Sequence, residues 1–552
     1  MMKMTSAVLA VIAAASVAGT LRAQVKEHPI PRLEQKDGRY ALFVDGAPYL
    51  MLGAQVHNSS SWPAMLPKVW PAMEYLHVNT VEMPVYWEQI EAKRGQYDYS
   101  VVDTLLTQAR QHNLHLVILW FGTWKNGSQH YMPEWMKLEP ERYPHMVDKN
   151  GRPVDSPSPY ATASLEADKA AFAAFMRHLK AADPQRTVLL VQVENEPGTW
   201  GSQRDYSPAA QKLFDSPVPA DVVKAMGAHP ASPAATWQEV FGPEAEVCFH
   251  AWSVASYIQQ VAAAGKAAYP LPLYANAALR DPIKPGAPGT YESGGPTDNV
   301  IPIWKVAAPA LDIVAPDIYN GDATAYLKVL ELYHRSDNPL FVPETGGGSG
   351  VPRFFFSALG LQAIGYSPFG LDYTANRGGA NAKPEEFLEP WAQNYRLVGP
   401  MMRDIARLNF EGKLQAVAEQ AGKANETLPF GTWNAIVSYG ASRNRAAGNP
   451  EPIGRALVAK LQDNQFLVAG FSCRVDFRPA DAAHGPVEEG TGQNPSARID
   501  GKWRHRQFLR VEEGTYENGV FKFLRIRNGD ETDWGLSFGA DPVVLRVSLA
   551  TY

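Results

Sequence analysis

The stretch Thr187-Val-Leu-Leu-Val-Gln-Val-Glu-Asn-Glu-Pro-Gly198 is an apolar, β-branched run that ends abruptly in two carboxylates, an amide, a proline and a glycine. Val and Leu on successive positions suit a strand covered on both faces, as in a parallel sheet. Glu194 and Glu196 fall at its C-terminal end, two apart, so strand alternation puts both side chains on one face. That end is where a parallel barrel keeps its chemistry. A strand running into an ordinary polar loop is the plain alternative. A second stretch of the same design, Asn338-Pro-Leu-Phe-Val-Pro-Glu344-Thr-Gly-Gly-Gly-Ser-Gly350, supplies Glu344 and makes a candidate carboxylate pair.

Working outward, strand and helix signals alternate. Residues 40–49 predict a hairpin turning at Asp45-Gly46, of the kind that plugs a barrel bottom. Strands are predicted over 49–56, 79–84, 114–120, 187–194, 271–276, 313–317, 338–344 and 360–366. Helices are predicted over 68–76, 99–112, 166–182, 252–268 and 323–334. Eight strands alternating with helices are the (β/α)8 pattern, an α/β TIM barrel. The Ala-, Pro- and Ser-rich excursion over about 201–250 is longer than a normal connection and reads as a rim insertion.

Asn195-Glu196-Pro197 after an apolar strand, with a lone Glu ending a later strand, resembles the clan A glycoside hydrolases, and Val191-Gln-Val-Glu-Asn-Glu196 is similar to the family 35 β-galactosidases. The resemblance implies retaining catalysis, with Glu196 as acid/base and Glu344 as nucleophile. It also implies that Asn195 binds the sugar 2-hydroxyl and that Tyr86 and Tyr319 contact the sugar, each tyrosine having a plain alternative as barrel-rim packing. Glu194 is expected to make structural hydrogen bonds inside the barrel, with substrate contact as the alternative. Trp124, Trp200, Trp87 and Tyr373 are weaker candidates for sugar-site walls. His57 is equally a structural hydrogen-bonder or a ligand. Two carboxyls about 5 to 5.5 Å apart suit a covalent route with retention, one protonated and the other ionised. Glu344 is expected to help keep Glu196 protonated. One departure concerns the sugar: the family's Asn-Ala-Glu segment after the third strand is replaced by Phe121-Gly-Thr-Trp-Lys-Asn126. β-Galactosidase action on plant cell-wall oligosaccharides is the expected function. A β-glucosidase, an arabinosidase and a non-catalytic carbohydrate-binding barrel stay open.

The 552 residues exceed the usual single-domain range. Met1-Met-Lys3, the apolar stretch after it and Leu21-Arg-Ala23 predict a signal peptide over 1–23. The expectation is therefore a secreted, most simply periplasmic, bacterial protein with no membrane insertion after cleavage. The barrel is expected over 24–410 and an all-β sandwich or jelly roll over 411–552, from short strands separated by Gly, Asn and Asp. Within it, Lys502-Trp-Arg-His-Arg506 and Glu512-Glu513 read first as solvated strand faces and second as a carbohydrate surface. A net charge of -6 without a basic stripe gives no reason to expect nucleic acid, and 11% aromatic residues favour an oligosaccharide or polysaccharide substrate. No metal site is suggested, no nucleotide loop follows Gly346, and no cofactor is expected. Cys248 and Cys473 are expected to be independent buried thiols, and a homo-oligomer remains open.

Overall fold

The computed structural model describes residues 28–346, 348–375, 383–440, 448–480, 496–499 and 502–552, without side chains at 384, 496–499 and 502–507. The expected signal peptide, Gly347 of the glycine-rich turn and the side chains of the Lys502–Arg506 cluster lie outside that description.

Eight parallel strands close into a barrel in chain order: β1 Met51–Gln55, β2 Thr80–Tyr86, β3 His115–Lys125, β4 Val188–Asn195, β5 Leu273–Ala278, β6 Ile313–Ile318, β7 Phe341–Thr345 and β8 Gly365–Pro368. Short, wholly apolar runs such as Val188–Val191 form these strands because helices cover the outside and side chains fill the inside. The N-terminal strands Arg32–Lys36, Arg39–Val44 and Ala47–Tyr49 form a small antiparallel sheet. Its Leu42, Val44 and Tyr49 pack with the interior residues Val117, Leu119, Leu189, Ile313 and Phe341, so the hairpin plugs the barrel.

Three elements differ from expectation. The eighth strand begins at Gly365, because Phe354–Gly360 is a helix and Gly360 ends it rather than opening a strand. The helix expected at Trp252 starts at Ala245, since Ala245–Ala268 is an unbroken run of residues compatible with helix. The rim excursion is accordingly shorter and holds three short helices, Pro208–Phe214, Ala220–Ala225 and Trp237–Phe241, the last opened by a Thr236/Glu239 capping box. Third, β3 runs on to Lys125 through a register shift between Trp120 and Lys125, which pairs Lys125 with Asn195 on β4.

After the barrel, one sheet holds Leu414–Ala418, Arg455–Gln462, Gln465–Phe471, Val543–Thr551 and Lys502–Glu517, with Ser496–Ile499 and Val520–Arg527 flanking the last. A second holds Asn425–Pro429, Trp433–Tyr439, Cys473–Pro479 and Leu536–Phe538. They share a core that includes Trp433, Val437, Val468, Val475 and Phe477. This β region seats on the barrel through Arg455, whose Nε donates to Asn394 Oδ1 at 2.7 Å, and Arg353, whose Nε donates to the Glu419 carbonyl at 2.9 Å. Gly360 is required there: a Cβ would stand 2.1 Å from the Ala416 carbonyl oxygen. Cys248 and Cys473 are buried free thiols, and no helix of the described residues is long and apolar enough to cross a membrane.

Candidate active site

Register brings the acidic residues together. β6 pairs with β7 so that Asp317 stands opposite Glu344, while β4 ends beside Lys125. One carboxylate oxygen each from Glu196, Asp317 and Glu344 lie within 4.8 Å of one another. Glu344 is 4% exposed and receives three donors. Gln55 Nε2 is 2.9 Å from its Oε1, Asn195 Nδ2 is 3.2 Å from the same oxygen, and the Tyr319 hydroxyl is 2.8 Å from Oε2. Three N–H and O–H donors hold that carboxyl in one orientation. Tyr319 itself is 45% exposed, so part of the residue is open to solvent.

Glu196 is placed by its backbone, whose N–H donates to Asn276 Oδ1 at 2.8 Å, while Asn276 Nδ2 donates to Asp317 Oδ2 at 2.6 Å. Burial, and after it the charge of Glu344, pushes the Glu196 carboxyl up to about 7, against the opposing pull of Lys125. The neighbouring charge expected from sequence is therefore the second cause and burial the first. Asp317 is pushed well up by burial and then by Glu344 and Glu196.

Glu194 and Glu196 do not share a face. Both have left-handed backbones, φ 64° and 43°, which breaks the two-residue alternation on which that reading rested. Glu194 lies instead beside Asp168 of the helix Thr162–Ala182, with the Trp124 backbone N–H at 2.6 Å from its Oε2. Thr123 and Trp120 donate to Asp168 at 2.7 and 3.2 Å. This buried acidic pair grips the irregular end of β3 and so positions Lys125. The Lys125 ammonium donates to Asn195 Oδ1 at 2.8 Å and to Asn126, which orients the Asn195 amide with its NH2 toward Glu344.

The other sequence candidates are dispersed. Tyr86 is buried in an aromatic stack between Trp62 and Tyr131, with centroids 5.3 and 5.4 Å away, and its hydroxyl lies near Ser61. Trp124 is fully buried, its indole N–H donating to Ser156, and Trp87 is buried with its N–H on Glu91. In this structure these three pack the barrel wall rather than standing open to a sugar. Trp200 is 52% exposed on the loop after Glu196. The backbone N–H and the ring of His57 both engage Asp372. Sequence reading missed Gln55, Lys125, Asn276 and Asp317; Asp317 was findable as a third carboxylate at a strand end.

A closed (β/α)8 barrel whose strand ends gather a buried carboxylate and a carboxyl that keeps its proton near neutrality is an arrangement that can carry acid/base and nucleophilic chemistry on a glycosidic bond. Residues 41–248 match the model of Glycosyl hydrolases family 35. Residues 391–539 match a domain of unknown function (DUF5597) that takes in the last barrel helices and most of the β region. No curated protein matches the chain. Among solved structures it is similar to the cold-adapted β-galactosidase of Rahnella sp. R3, at 14% identity and TM-score 0.47 over 65% of this chain and 58% of that one. It is also similar to the β-galactosidase of the psychrophilic Marinomonas ef1, at 13% and 0.47 over 67% and 62%. A third is the catalytic domain of β-amylase from Paenibacillus polymyxa, at 13% and 0.45 over 62% and 96%. The chain thus spans less than two thirds of the β-galactosidase chains it matches.

Proposed function

We propose that this chain is a retaining exo-β-glycosidase, with terminal β-galactose of plant cell-wall oligosaccharides as the favoured substrate. The observation that carries this reading is the closeness of the carboxyls: one oxygen each of Glu196 and Glu344 lie within 4.8 Å, which supports the close pair, roughly 5 to 5.5 Å apart, of a covalent route. Glu344 attacks the anomeric carbon as Glu196 gives its proton to the departing glycosidic oxygen. The C–O bond to the leaving group breaks and a glycosyl ester forms on Glu344. Water, deprotonated by the now ionised Glu196, then hydrolyses that ester and returns both carboxyls to their starting states.

The raised value of Glu196, about 7, suits an acid that must hold a proton near neutrality. Asn195, fixed by Lys125, presents its NH2 at the nucleophile, where the sugar 2-hydroxyl would lie. Secretion to the periplasm rests on the N-terminal sequence. The test is hydrolysis of a panel of nitrophenyl β-glycosides by wild type and by Glu344→Gln. Turnover of the galactoside that the variant loses supports the reading. Turnover confined to a glucoside or arabinoside keeps the mechanism and replaces the sugar, and no turnover of any glycoside favours a binding barrel.

A further inference from the structure

The loop after β5 buries a carboxylate that nothing above uses. Glu292 is 2% exposed, and among the described residues neither of its oxygens has a hydrogen-bond partner. Leaving a buried carboxyl unpaired is costly, so such a group asks for a ligand donor or acceptor. Its position is built. The backbone of Ser293 pairs with Thr199 through N–H···O bonds of 2.8 and 3.0 Å, tying this loop to the segment that carries Glu196. Arg280 grips Asp298 in a bidentate pair at 2.6 and 2.7 Å and closes the loop on itself.

Two glycines leave the carboxyl its room. A Cβ on Gly127, which has φ 69°, would lie 2.7 Å from Glu292 Oε1, and one on Gly198 would lie 2.9 Å from the same atom. The same Cβ on Gly127 would lie 3.1 Å from the Trp200 ring, so Trp200 and Glu292 flank one glycine. The half-exposed indole is therefore neighbour to the buried carboxyl. Glu292 interacts electrostatically with Glu196 and Lys125, which places it on the acid/base side of the site. The acid/base stands beside the glycosidic oxygen, so what lies past it is the departing part of the substrate.

Resting on the glycosidase reading, we propose that Trp200 and Glu292 form the subsite for the leaving sugar: the Trp200 indole stacks on the ring, and the Glu292 carboxyl bonds one of its hydroxyls directly or through one water. An exposed aromatic face beside a polar hydroxyl partner is the pairing a pyranose needs. The preferred substrates are then oligosaccharides, whose leaving group carries hydroxyls, over glycosides with simple apolar aglycones.

The test compares wild type, Glu292→Ala, Glu292→Gln and Trp200→Ala, each checked by thermal melting for a folded state. Steady-state kcat/KM is measured on a β-linked disaccharide and on the matching nitrophenyl glycoside, which offers no leaving-group hydroxyl. In addition, intrinsic fluorescence is titrated with the same disaccharide in the Glu344→Gln background. The proposal predicts that Glu292→Ala and Trp200→Ala lose about tenfold more on the disaccharide than on the nitrophenyl glycoside, and that the fluorescence titration weakens to match. Equal losses on the two substrates, or a shift of the basic limb common to both, would make Glu292 a support for Glu196 and overturn the proposal. If wild type turns over neither substrate, the glycosidase reading has failed; the titration then decides this proposal alone, and unchanged disaccharide binding in both variants overturns it.

Discussion

Replacing Lys125 by Met should damage the site in a way that separates two of its roles. The buried ammonium donates to Asn195 Oδ1 at 2.8 Å and lies 5.1 Å from the centre of the Phe121 ring. Methionine keeps the apolar contact and removes the donor, leaving the Asn195 amide oxygen unpaired. A hydrogen bond to a charged group is worth about 1.5–3 kcal/mol. If Asn195 needs that bond to face the sugar, kcat/KM falls by about 13- to 160-fold at about 1.36 kcal/mol per tenfold. The pH profile carries the second role. Lys125 draws the Glu196 carboxyl down, so without it the carboxyl rises above its value of about 7. In the proposed mechanism Glu196 works as the acid in its protonated form, and a raised value keeps it protonated to higher pH. The basic limb of kcat/KM therefore moves to higher pH. The assay is steady-state hydrolysis of a nitrophenyl glycoside across the pH range, with melting to confirm folding. A folded variant with less than about a threefold loss and an unmoved basic limb would refute both roles.

Three further outcomes follow from the same geometry. Tyr319→Phe removes the hydroxyl 2.8 Å from Glu344 Oε2, and kcat should drop about tenfold or more with little change in KM; wild-type kcat would mean the phenol does not serve the nucleophile. Burial raises both Glu194 and Asp168, and the charge of Asp168 raises Glu194 further, so their contribution to stability is full at low pH and is lost as pH climbs through the raised values. Asp168→Asn should accordingly flatten the fall in melting temperature as pH rises above the ordinary carboxylate range, and a slope equal to wild type's would contradict the pairing. Gly360→Ala forces a Cβ onto the Ala416 carbonyl and should cost about 1–3 kcal/mol in urea unfolding; an unchanged midpoint would show that the two regions do not meet there as described.

The barrel was legible because its strands are short apolar runs whose helices sit between them, a signal that needs no tertiary knowledge. The eighth strand was misplaced because Phe354-Phe-Phe-Ser-Ala-Leu-Gly360 is as apolar as a strand, and periodicity cannot separate a fully buried helix from a buried strand. Glu344 and Glu196 were visible as carboxylates where apolar strands end, and Asp317 obeys the same rule. Glu194 misled because alternation assumes an extended backbone, which its φ of 64° abandons. Lys125 was hidden by a bulge that carries β3 past its apolar run. Glu292 lies in a connection with no pattern of its own, and only the Thr199–Ser293 pairing brings it to Glu196.

The measurement that bears most directly on the two-carboxylate account is the reaction of Glu344→Gly with azide and a nitrophenyl β-galactoside carrying an activated leaving group. With the proposed nucleophile gone, azide is expected to enter the space the carboxylate leaves and to attack the face opposite the leaving group. The account predicts that activity absent without azide returns with it and that the product is the α-galactosyl azide. A β-configured azide, or a Glu344→Gly variant that hydrolyses the galactoside at the wild-type rate without azide, would contradict it.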